Sequence, residues 1–317
     1  MKTITVVLVN WNQYEYTAAC IRSLLAADAP PGGTLRIVLV DNGSADGSGA
    51  RLQAAFGGQI DVLCNGANRG FAGGNNAGIR QALANGADYV LLLNNDTVVA
   101  PDFLPALAAR LEADPQVGAV TGKIYYAHDP TLLWAAGGQV RLWLGEAQNR
   151  GAGARDRGQY DQPQAVDFVT GCCLLASRAV WERVGPLDER YFLYYEDADW
   201  CLRLRAAGRL NWYEPRAHIW HWAGAASKGA APARGQGTTS AAVYYYTTRN
   251  NLWFVRAYTP KPLLPLAVAA VLVRRMGLYS AVFTGLRRWA KLKALWRGWA
   301  DGWAGERGGR AGSPPTW

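Results

Sequence analysis

Short apolar runs alternate with amphipathic stretches over residues 1–100. The runs Ile4–Val9, Leu35–Val40, Ile60–Leu63 and Tyr89–Leu93 are continuous, which predicts four buried strands. The stretches between the runs predict helices. Because uninterrupted apolar strands separated by helices are typical of a parallel sheet covered on both faces, the pattern predicts an α/β fold with a mostly parallel sheet.

Polar clusters follow the four predicted strands. They are Asn10-Trp11-Asn12, Asp41–Ser44, Asn68–Asn76 and Asn94–Asp96. In open α/β sheets, ligands bind beyond the carboxyl ends of the strands. The clusters therefore predict one ligand site along this edge of the sheet.

Asp41 is a candidate for base recognition. A carboxylate at a strand end accepts a hydrogen bond from the imide N–H of uracil or thymine, and a turn or helix-cap role is the alternative. A nicotinamide-dependent enzyme also places an acid here, but it needs G-x-G-x-x-G after the first strand, where this chain has Asn10-Trp11-Asn12-Gln13-Tyr14. A nucleotidyltransferase of similar fold would also carry a glycine-rich phosphate loop at that place.

The next two clusters suit a diphosphate and a metal ion. The glycines of Asn68–Asn76 let backbone amides approach an anion where a helix starts, and Arg69 adds a positive charge. Asp96 offers a carboxylate to a hard divalent ion that bridges two phosphates. A helix cap is the alternative role for Asn94-Asn95-Asp96.

The segment Glu196–Asp199 places three carboxylates within four positions. A helix first turn and an Asp199–Arg203 pair explain part of this pattern. They do not explain the aromatic neighbours, which are Tyr191, Phe192, Tyr194, Tyr195 and Trp200. Sugar faces pack on aromatic rings, and apolar surroundings raise the pKa of a carboxyl group towards that of a useful base.

Histidine and cysteine add little to the metal-ligand set. His218 and His221 are spaced three residues apart, which is poor spacing for two ligands on one strand, so at most one is expected beside Asp96. The five cysteines are odd in number and lack C-x-x-C spacing. They predict buried thiols in a reducing compartment rather than a disulfide framework or a zinc site.

The excess positive charge lies at the end of the chain. Residues 1–255 carry 22 basic and 22 acidic side chains, whereas residues 256–317 carry 11 basic and two acidic ones. This distribution argues against a catalytic domain that binds nucleic acid. It predicts a basic appendage that meets phosphates or a membrane surface.

The same tail contains two apolar features. Leu263–Val273 is interrupted by Pro265 and followed by Arg274-Arg275, so it is shorter than the roughly 20 apolar residues of a membrane span. Farther on, one helical face is predicted to carry Trp289, Leu292, Leu295, Trp296, Trp299 and Trp303, mostly opposite Arg287, Lys291, Lys293 and Arg297. A basic amphipathic helix of this kind suits an anionic membrane interface, and packing on the catalytic domain is the alternative.

Taken together, these segments resemble the family-2 glycosyltransferases of GT-A fold, and specifically the rhamnosyltransferase-like members that build cell-surface polysaccharides. The resemblance runs through Thr3–Asn12, Val40–Ser44, Asn68–Asn76, Leu91–Asp96, Val169–Arg178, Gly185–Gly208 and His221, and more loosely through Tyr246–Asn251 and the tail. It implies a Rossmann-like nucleotide-binding domain with a mostly parallel sheet in residues 1–225. It also implies a C-terminal helical extension in residues 226–317.

The resemblance implies roles for four residues. Asp41 would contact the base, Asp96 would be the metal aspartate, His221 a further metal ligand and Asp197 the catalytic base that deprotonates the acceptor hydroxyl. The metal motif reads Asn94-Asn95-Asp96 rather than Asp-x-Asp. We also expect Asn10, Asn68, Arg69, Gly70 and Asn95 to bind the nucleotide, and Gly171, Glu196 and Trp200 to line the pocket for the donor and acceptor sugars.

The predicted activity is transfer of one sugar, rhamnose or a related hexose, with inversion. The expected donor is a UDP- or dTDP-sugar, the acceptor a hydroxyl of a lipid-linked saccharide, and the cofactor Mg²⁺ or Mn²⁺. The Q-x-x-R-W signature of processive family-2 synthases is absent, which favours single-sugar addition. An inactive sugar-nucleotide-binding protein and a nucleotidyltransferase of similar fold are the alternatives.

The expected location is the inner face of the cell membrane. The apolar run Ile4–Val9 is too short for a signal-peptide core and fits a first buried strand, so we expect a cytoplasmic protein. Residues 256–317 are expected to bind an anionic membrane surface peripherally, and no nucleic-acid partner is expected.

Overall fold

The computed structural model describes residues 2–223 and 239–305 and contains two compact units. Unit 1 combines Met1–Gln139, Asn149–Asp188 and Asp197–Ala223. Unit 2 combines Val140–Gln148, Glu189–Glu196 and Gly224–Trp317. The domain boundary predicted after residue 225 lies outside the described residues.

The described residues contain twelve strands. In chain order they are β1 (Thr3–Asn10), β2 (Thr34–Asp41), β3 (Asp61–Cys64), β4 (Tyr89–Leu93), β5 (Thr97–Val99), β6 (Val117–Tyr126), β7 (Asp129–Ala135), β8 (Gly138–Arg141), β9 (Glu146–Asn149), β10 (Gln164–Val166), β11 (Cys173–Ser177) and β12 (Leu210–His221).

The same residues form ten α-helices. They are α1 (Tyr14–Leu25), α2 (Ser48–Phe56), α3 (Gly70–Ala84), α4 (Phe103–Ala113), α5 (Arg178–Val184), α6 (Glu196–Ala206), α7 (Ala241–Tyr258), α8 (Leu264–Val271), α9 (Leu278–Gly285) and α10 (Trp289–Ala304).

Ten strands form one mixed sheet in the order β10-β12-β6-β11-β4-β1-β2-β3, with β5 paired to β12 and β7 to β6. Strands β1 to β4 are parallel to one another, which confirms the predicted parallel core. Strand β11 runs antiparallel between β4 and β6, and β12 is parallel to β6. The sheet is therefore parallel where the four predicted strands lie and mixed beyond them.

Helices cover both faces of the sheet in unit 1. Successive side chains of β1 point to opposite faces, so the contacts of Val7 and Leu8 show what lies on each face. Leu8 shares a buried apolar cluster with Ile21 of α1. On the other face, a Cβ added at Gly78 of α3 would lie 2.2 Å from a methyl carbon of Val7. Glycine at this position therefore lets α3 lie directly on β1, and the predicted two-sided covering is confirmed.

In unit 2, one helix of 25 residues runs from Lys261 to Gly285. The run Leu263–Val273, predicted to be shorter than a membrane span, is part of this longer helix, because a π-helical turn, Leu272–Gly277, continues the helix past Arg274. Arg274 pairs with Glu146 at 2.7 Å within unit 2. By length and composition alone, this helix of the described chain is able to cross a membrane.

Helix α10 packs on α7 within unit 2. Its buried residues are Lys291, Ala294, Leu295, Gly298 and Gly302. A Cβ added at Gly298 would lie 2.5 Å from the carbonyl oxygen of Tyr245, so small residues set this contact. The predicted division into an apolar and a basic face is therefore wrong in part, since Lys291 lies on the buried side. Trp289, Trp296 and Trp303 are 57%, 46% and 46% exposed.

Candidate active site

Asn10 and Asp41 meet at the ends of neighbouring strands. The parallel register of β1 and β2 pairs the two residues, and Asn10 Nδ2 donates to Asp41 Oδ1 at 3.1 Å. The carboxylate also accepts from Ser44 Oγ at 2.5 Å. A Cβ added at Gly49 would lie 2.5 Å from Asp41 Cγ, so α2 closes directly over the carboxylate. Asp41 is thus held in one position, which recognition of a base requires.

Asn95 is linked to Asn10 through Thr17. Asn95 Nδ2 donates to Thr17 Oγ1 at 2.7 Å, and Thr17 Oγ1 donates to Asn10 Oδ1 at 2.9 Å. Two residues predicted to bind the nucleotide are therefore connected by a hydroxyl that sequence reasoning missed. Thr17 lies in the interior of α1, where no local pattern marks it.

Asn42 ties the end of β2 to the turn before α3. Its Nδ2 donates to Asn68 Oδ1 and to the carbonyl oxygen of Gly70, both at 3.1 Å. Its Oδ1 accepts from the backbone N–H of Arg69 at 3.2 Å. Sequence reasoning missed this role, although Asn42 stands within the Asp41–Ser44 cluster. A single buried amide therefore orients three of the residues predicted to bind the nucleotide.

The turn at Asn68–Gly70 starts helix α3. Asn68 Oδ1 accepts from the Gly70 N–H at 2.8 Å, and Gly70 has a φ of 71°, which glycine adopts without steric cost. The Arg69 side chain is exposed and makes no salt bridge within residues 2–223 and 239–305. A helix N-terminus favours anions, and here it stands beside an available guanidinium.

Asp96 and His221 meet although 125 residues separate them in the chain. The antiparallel pairing of β5 with β12 sets His221 opposite Thr97. His221 Nε2 then lies 3.0 Å from Asp96 Oδ1, and both residues are buried. His218, earlier on the same strand, contacts the ring of Tyr125 instead. Of the two histidines, His221 is the one beside Asp96.

The residues present fit a divalent ion. Two adjacent ligands of an octahedral ion at 2.0–2.1 Å lie about 3 Å from each other, which agrees with the separation of Asp96 Oδ1 and His221 Nε2. The ring of Trp134 packs edge-on against the His221 imidazole, with the two ring centroids 4.5 Å apart, and restricts rotation of the imidazole. The described parts of the chain contain no group of three or more His, Cys, Asp or Glu side chains that could hold a metal ion. The protein would therefore supply two ligands and leave positions for phosphate oxygens.

Asp197 is the second residue of α6, and its carboxylate is bound by backbone amides. Oδ2 accepts from the Gly171 N–H at 2.9 Å, and Oδ1 accepts from the Ala198 N–H at 2.8 Å. A Cβ added at Gly171 would lie 2.9 Å from the ring of Phe71. Gly171, predicted as a pocket residue, thus approaches Phe71 closely and orients Asp197.

Burial raises the pKa of Asp197 above its ordinary value, although part of the residue is exposed. The hydrogen bonds from Gly171, Ala198 and the Thr170 hydroxyl lower the pKa and offset part of this shift. A carboxylate with a raised pKa binds a proton more readily, which suits a general base. Sequence reasoning did not assign Thr170 this influence.

The structure corrects the placement of Trp200. Its side chain is fully buried on the inner side of α6, where the ring packs on Trp181 at 4.5 Å and Nε1 donates to the Gly185 carbonyl at 2.9 Å. A sugar cannot reach this ring, so Trp200 is a core residue. Glu196 is also buried, and its role in the sugar pocket stays a prediction.

A cavity of about 400 Å³ lies elsewhere in unit 1. Its lining includes Arg110 and Arg216, which pair with Asp114 at 3.0 Å and with Glu214 at 2.8 Å. Its lining residues include none of the strand-end residues described above. We therefore assign the chemistry to the sheet edge and not to this cavity.

The site thus contains the fixed carboxylate of Asp41, the start of helix α3 beside the exposed Arg69 and the oriented carboxylate of Asp197. The model of the family described as "Glycosyl transferase family 2" matches residues 5–185, more than half of the chain. The chain belongs to this family and is a glycosyltransferase.

Individual relatives agree with this assignment. The chain is 29% identical to N-acetylglucosaminyl-diphospho-decaprenol L-rhamnosyltransferase of Mycobacterium tuberculosis, over 69% of this chain and 75% of that protein. It is 26% identical to dTDP-rhamnosyl transferase RfbF of Shigella flexneri, over 48% of each chain. These names support the predicted rhamnosyltransferase-like subgroup.

The fold agrees with that of a solved glycosyltransferase. The structure of GalNAc-T7 with UDP, GalNAc and Mn²⁺ superposes with a TM-score of 0.59 and 14% identity, over 90% of this chain and 58% of that chain. This likeness concerns the fold alone and confirms the predicted GT-A class.

Proposed function

We propose that the enzyme transfers one sugar, with inversion, from a dTDP- or UDP-sugar to a hydroxyl of a lipid-linked saccharide in the synthesis of a cell-surface polysaccharide. The observation that carries the proposal is the state of Asp197. Its carboxylate is oriented by the amides of Gly171 and Ala198, and burial raises its pKa. Both properties suit a base that acts on a hydroxyl group.

Asp197 takes the proton of the acceptor hydroxyl as the acceptor oxygen attacks the anomeric carbon. The attack comes from the face opposite the diphosphate, so the configuration inverts. The new glycosidic bond forms as the bond from the anomeric carbon to the diphosphate oxygen breaks, and the nucleoside diphosphate leaves. One carboxylate in this role is enough, because the acceptor displaces the leaving group directly.

Negative charge grows on the diphosphate as it leaves. The exposed Arg69 guanidinium and the amides at the start of α3 are placed to stabilise this charge. A divalent ion, Mg²⁺ or Mn²⁺, held by Asp96 and His221 would neutralise the diphosphate oxygens further. The GalNAc-T7 structure, of the same fold, was solved with Mn²⁺, which supports use of such an ion.

The donor and acceptor classes follow from the base site and the relatives. Asp41 accepts one hydrogen bond from uracil or thymine, which have the same imide N–H, so it suits UDP and dTDP alike. The name of the Shigella flexneri relative supports a dTDP-rhamnose donor. The name of the Mycobacterium tuberculosis relative supports an acceptor in which N-acetylglucosamine is joined to a polyprenol by a diphosphate.

Unit 2 supplies the surface that we propose meets the membrane. Its helices expose large apolar side chains, namely Leu263, Leu266, Leu272, Val273, Leu278, Val282, Leu286, Trp289, Trp296 and Trp303. The basic residues in excess over acidic ones fall in the same segment, within residues 256–317. Apolar burial and attraction to anionic lipid together suit an enzyme bound to the cytoplasmic face of the cell membrane.

The proposal is tested by assaying the full-length protein with Mn²⁺, a polyprenyl-diphosphate-linked N-acetylglucosamine and one donor at a time. The donors are dTDP-rhamnose, UDP-glucose, UDP-N-acetylglucosamine and GDP-mannose. We expect acceptor-dependent release of dTDP or UDP with a product one sugar larger, and no transfer from GDP-mannose. Absence of product with every dTDP and UDP donor would contradict the proposal. Release of pyrophosphate from dTTP and a sugar 1-phosphate would identify a nucleotidyltransferase instead.

A further inference from the structure

The segment Glu189–Glu196 leads directly into Asp197 and has an unusual backbone. Phe192, Tyr194 and Tyr195 have φ angles of 64°, 70° and 74°. Residues other than glycine rarely adopt this left-handed backbone conformation, because their Cβ atom approaches the carbonyl oxygen too closely. Such residues persist only where their surroundings hold them, and they cluster at functional sites.

Asn250 of α7 binds this segment through its side-chain NH₂ group. Nδ2 lies 2.8 Å from each of the carbonyl oxygens of Tyr191, Leu193 and Tyr194, to which it donates. Oδ1 accepts from Arg249 Nε at 2.9 Å, which fixes the orientation of the amide. Asn250 is fully buried. The amide therefore contacts three carbonyls whose positions depend on the left-handed residues.

The neighbours of Asn250 contact both ends of the same segment. The Arg249 guanidinium donates to the carbonyl oxygens of Arg190 and Tyr191, each at 2.9 Å, and stacks over Trp253 at 4.3 Å. Asn251 Nδ2 donates to the Tyr195 hydroxyl at 2.8 Å. Three consecutive residues of α7 thus hold the segment from its beginning to its end.

We propose that Arg249 and Asn250 are positioning residues for the transfer reaction. They hold Phe192, Tyr194 and Tyr195 in the left-handed conformation, and this conformation sets the direction in which the chain enters α6. Asp197 follows Tyr195 by two residues, so a change of φ at Tyr195 turns the first helical turn and moves the carboxylate. The inference rests on the proposed role of Asp197 as the base.

The test compares Asn250→Ala and Arg249→Lys with the wild-type enzyme. Asn250→Ala removes the donors to the three carbonyls, whereas Arg249→Lys keeps the charge and loses the planar group that reaches two carbonyls. The matched control is Thr247→Val on the same helix, which loses a hydrogen bond of 2.6 Å from the Thr247 hydroxyl to the carbonyl oxygen of Val243. That hydrogen bond does not involve the segment.

Three quantities are measured on the full-length proteins: kcat, the Kd of the nucleoside diphosphate, and amide hydrogen exchange. We expect both variants to lower kcat about tenfold or more, because small displacements of a reacting group have effects of this size. The nucleotide Kd should stay within about twofold of the wild-type value, since the strand-end residues are untouched. Exchange of the amides in Glu189–Glu196 should quicken in both variants and not in Thr247→Val.

A wild-type kcat in both variants would overturn the inference. It would also be overturned if kcat and nucleotide binding fell together in proportion to the folded fraction, because the residues would then stabilise the fold alone. A wild-type enzyme without transfer from any donor would contradict the proposed function instead. In that case the exchange rates of Glu189–Glu196 would still decide whether Arg249 and Asn250 hold the segment.

Discussion

The backbone N–H of Gly171 donates to Asp197 Oδ2 at 2.9 Å, and this contact joins the loop before β11 to the first turn of α6. It restricts the rotation of the carboxylate while leaving part of the residue exposed to an acceptor. The same glycine lies so close to Phe71 that it cannot carry a side chain without a shift of the ring. The position of Asp197, the proposed base, therefore depends on a residue with no side chain.

Gly171→Ala is expected to lower kcat by about 10- to 100-fold, because the new methyl would lie 2.9 Å from the Phe71 ring and displace the loop that orients Asp197. Steady-state kinetics measures this change. Gly58→Ala is the matched control, since a Cβ there has no atom within 4 Å. An unchanged kcat in Gly171→Ala would show that the 2.9 Å contact does not position the base.

The kcat–pH profile is expected to have an acid limb whose midpoint lies above the ordinary pKa of an aspartate, which is about 4. Burial raises the pKa of Asp197, and a base works only when deprotonated, so kcat falls as the pH drops through this raised value. Thr170→Val removes a hydrogen bond that lowers the pKa, so it should move the limb to higher pH. A limb that stays in place in Thr170→Val would contradict the assignment of the limb to Asp197.

His221→Ala is expected to weaken binding of Mn²⁺ in the presence of UDP or dTDP by about tenfold or more, because it removes one of the two proposed protein ligands. Calorimetry or the electron paramagnetic resonance of free Mn²⁺ measures this loss. His218→Ala is the control, since His218 lies on the same strand but contacts Tyr125. Equal Mn²⁺ affinity in the two variants would contradict the metal site at Asp96 and His221.

The triple substitution Trp289→Ser, Trp296→Ser and Trp303→Ser is expected to reduce binding to vesicles at high salt. Salt screens the attraction of basic residues to anionic lipid, but it does not remove apolar burial. Co-sedimentation at low and high salt separates the two contributions. Trp143→Ser, at a 52% exposed tryptophan outside this segment, is the control. Wild-type binding of the triple variant at high salt would exclude these tryptophans from the membrane contact.

The parallel half of the sheet could be predicted because its strands are uninterrupted apolar runs. The other half could not, since β12 contains Pro215 and polar residues, and its partners lie far away in the chain. The contact between Asp96 and His221 depends on that distant pairing. Local sequence therefore marks Asp96 as a candidate ligand, whereas only the sheet shows that His221 lies beside it.

The predicted positions of Trp200 and Lys291 are wrong for the same reason, which is the direction that a helix gives to each side chain. Trp200 stands among acids and aromatics in the sequence, but α6 turns it into the core beside buried Ala198, Cys201 and Leu204. The sequence pattern predicts Lys291 on a basic face, but the small residues of α10 face α7 and bring Lys291 to the buried side. The left-handed aromatics before Asp197 could not be foreseen either, because their side chains disfavour that conformation.

The central claim is that Asp197 is the base that deprotonates the acceptor. The most direct measurement is single-turnover transfer by Asp197→Asn, together with the Kd of the nucleoside diphosphate. We expect transfer to slow by about 10²- to 10⁴-fold, the usual contribution of a general base, while the Kd changes by less than about twofold. Transfer at the wild-type rate, or a loss of transfer that is matched by a loss of nucleotide binding, would contradict the account.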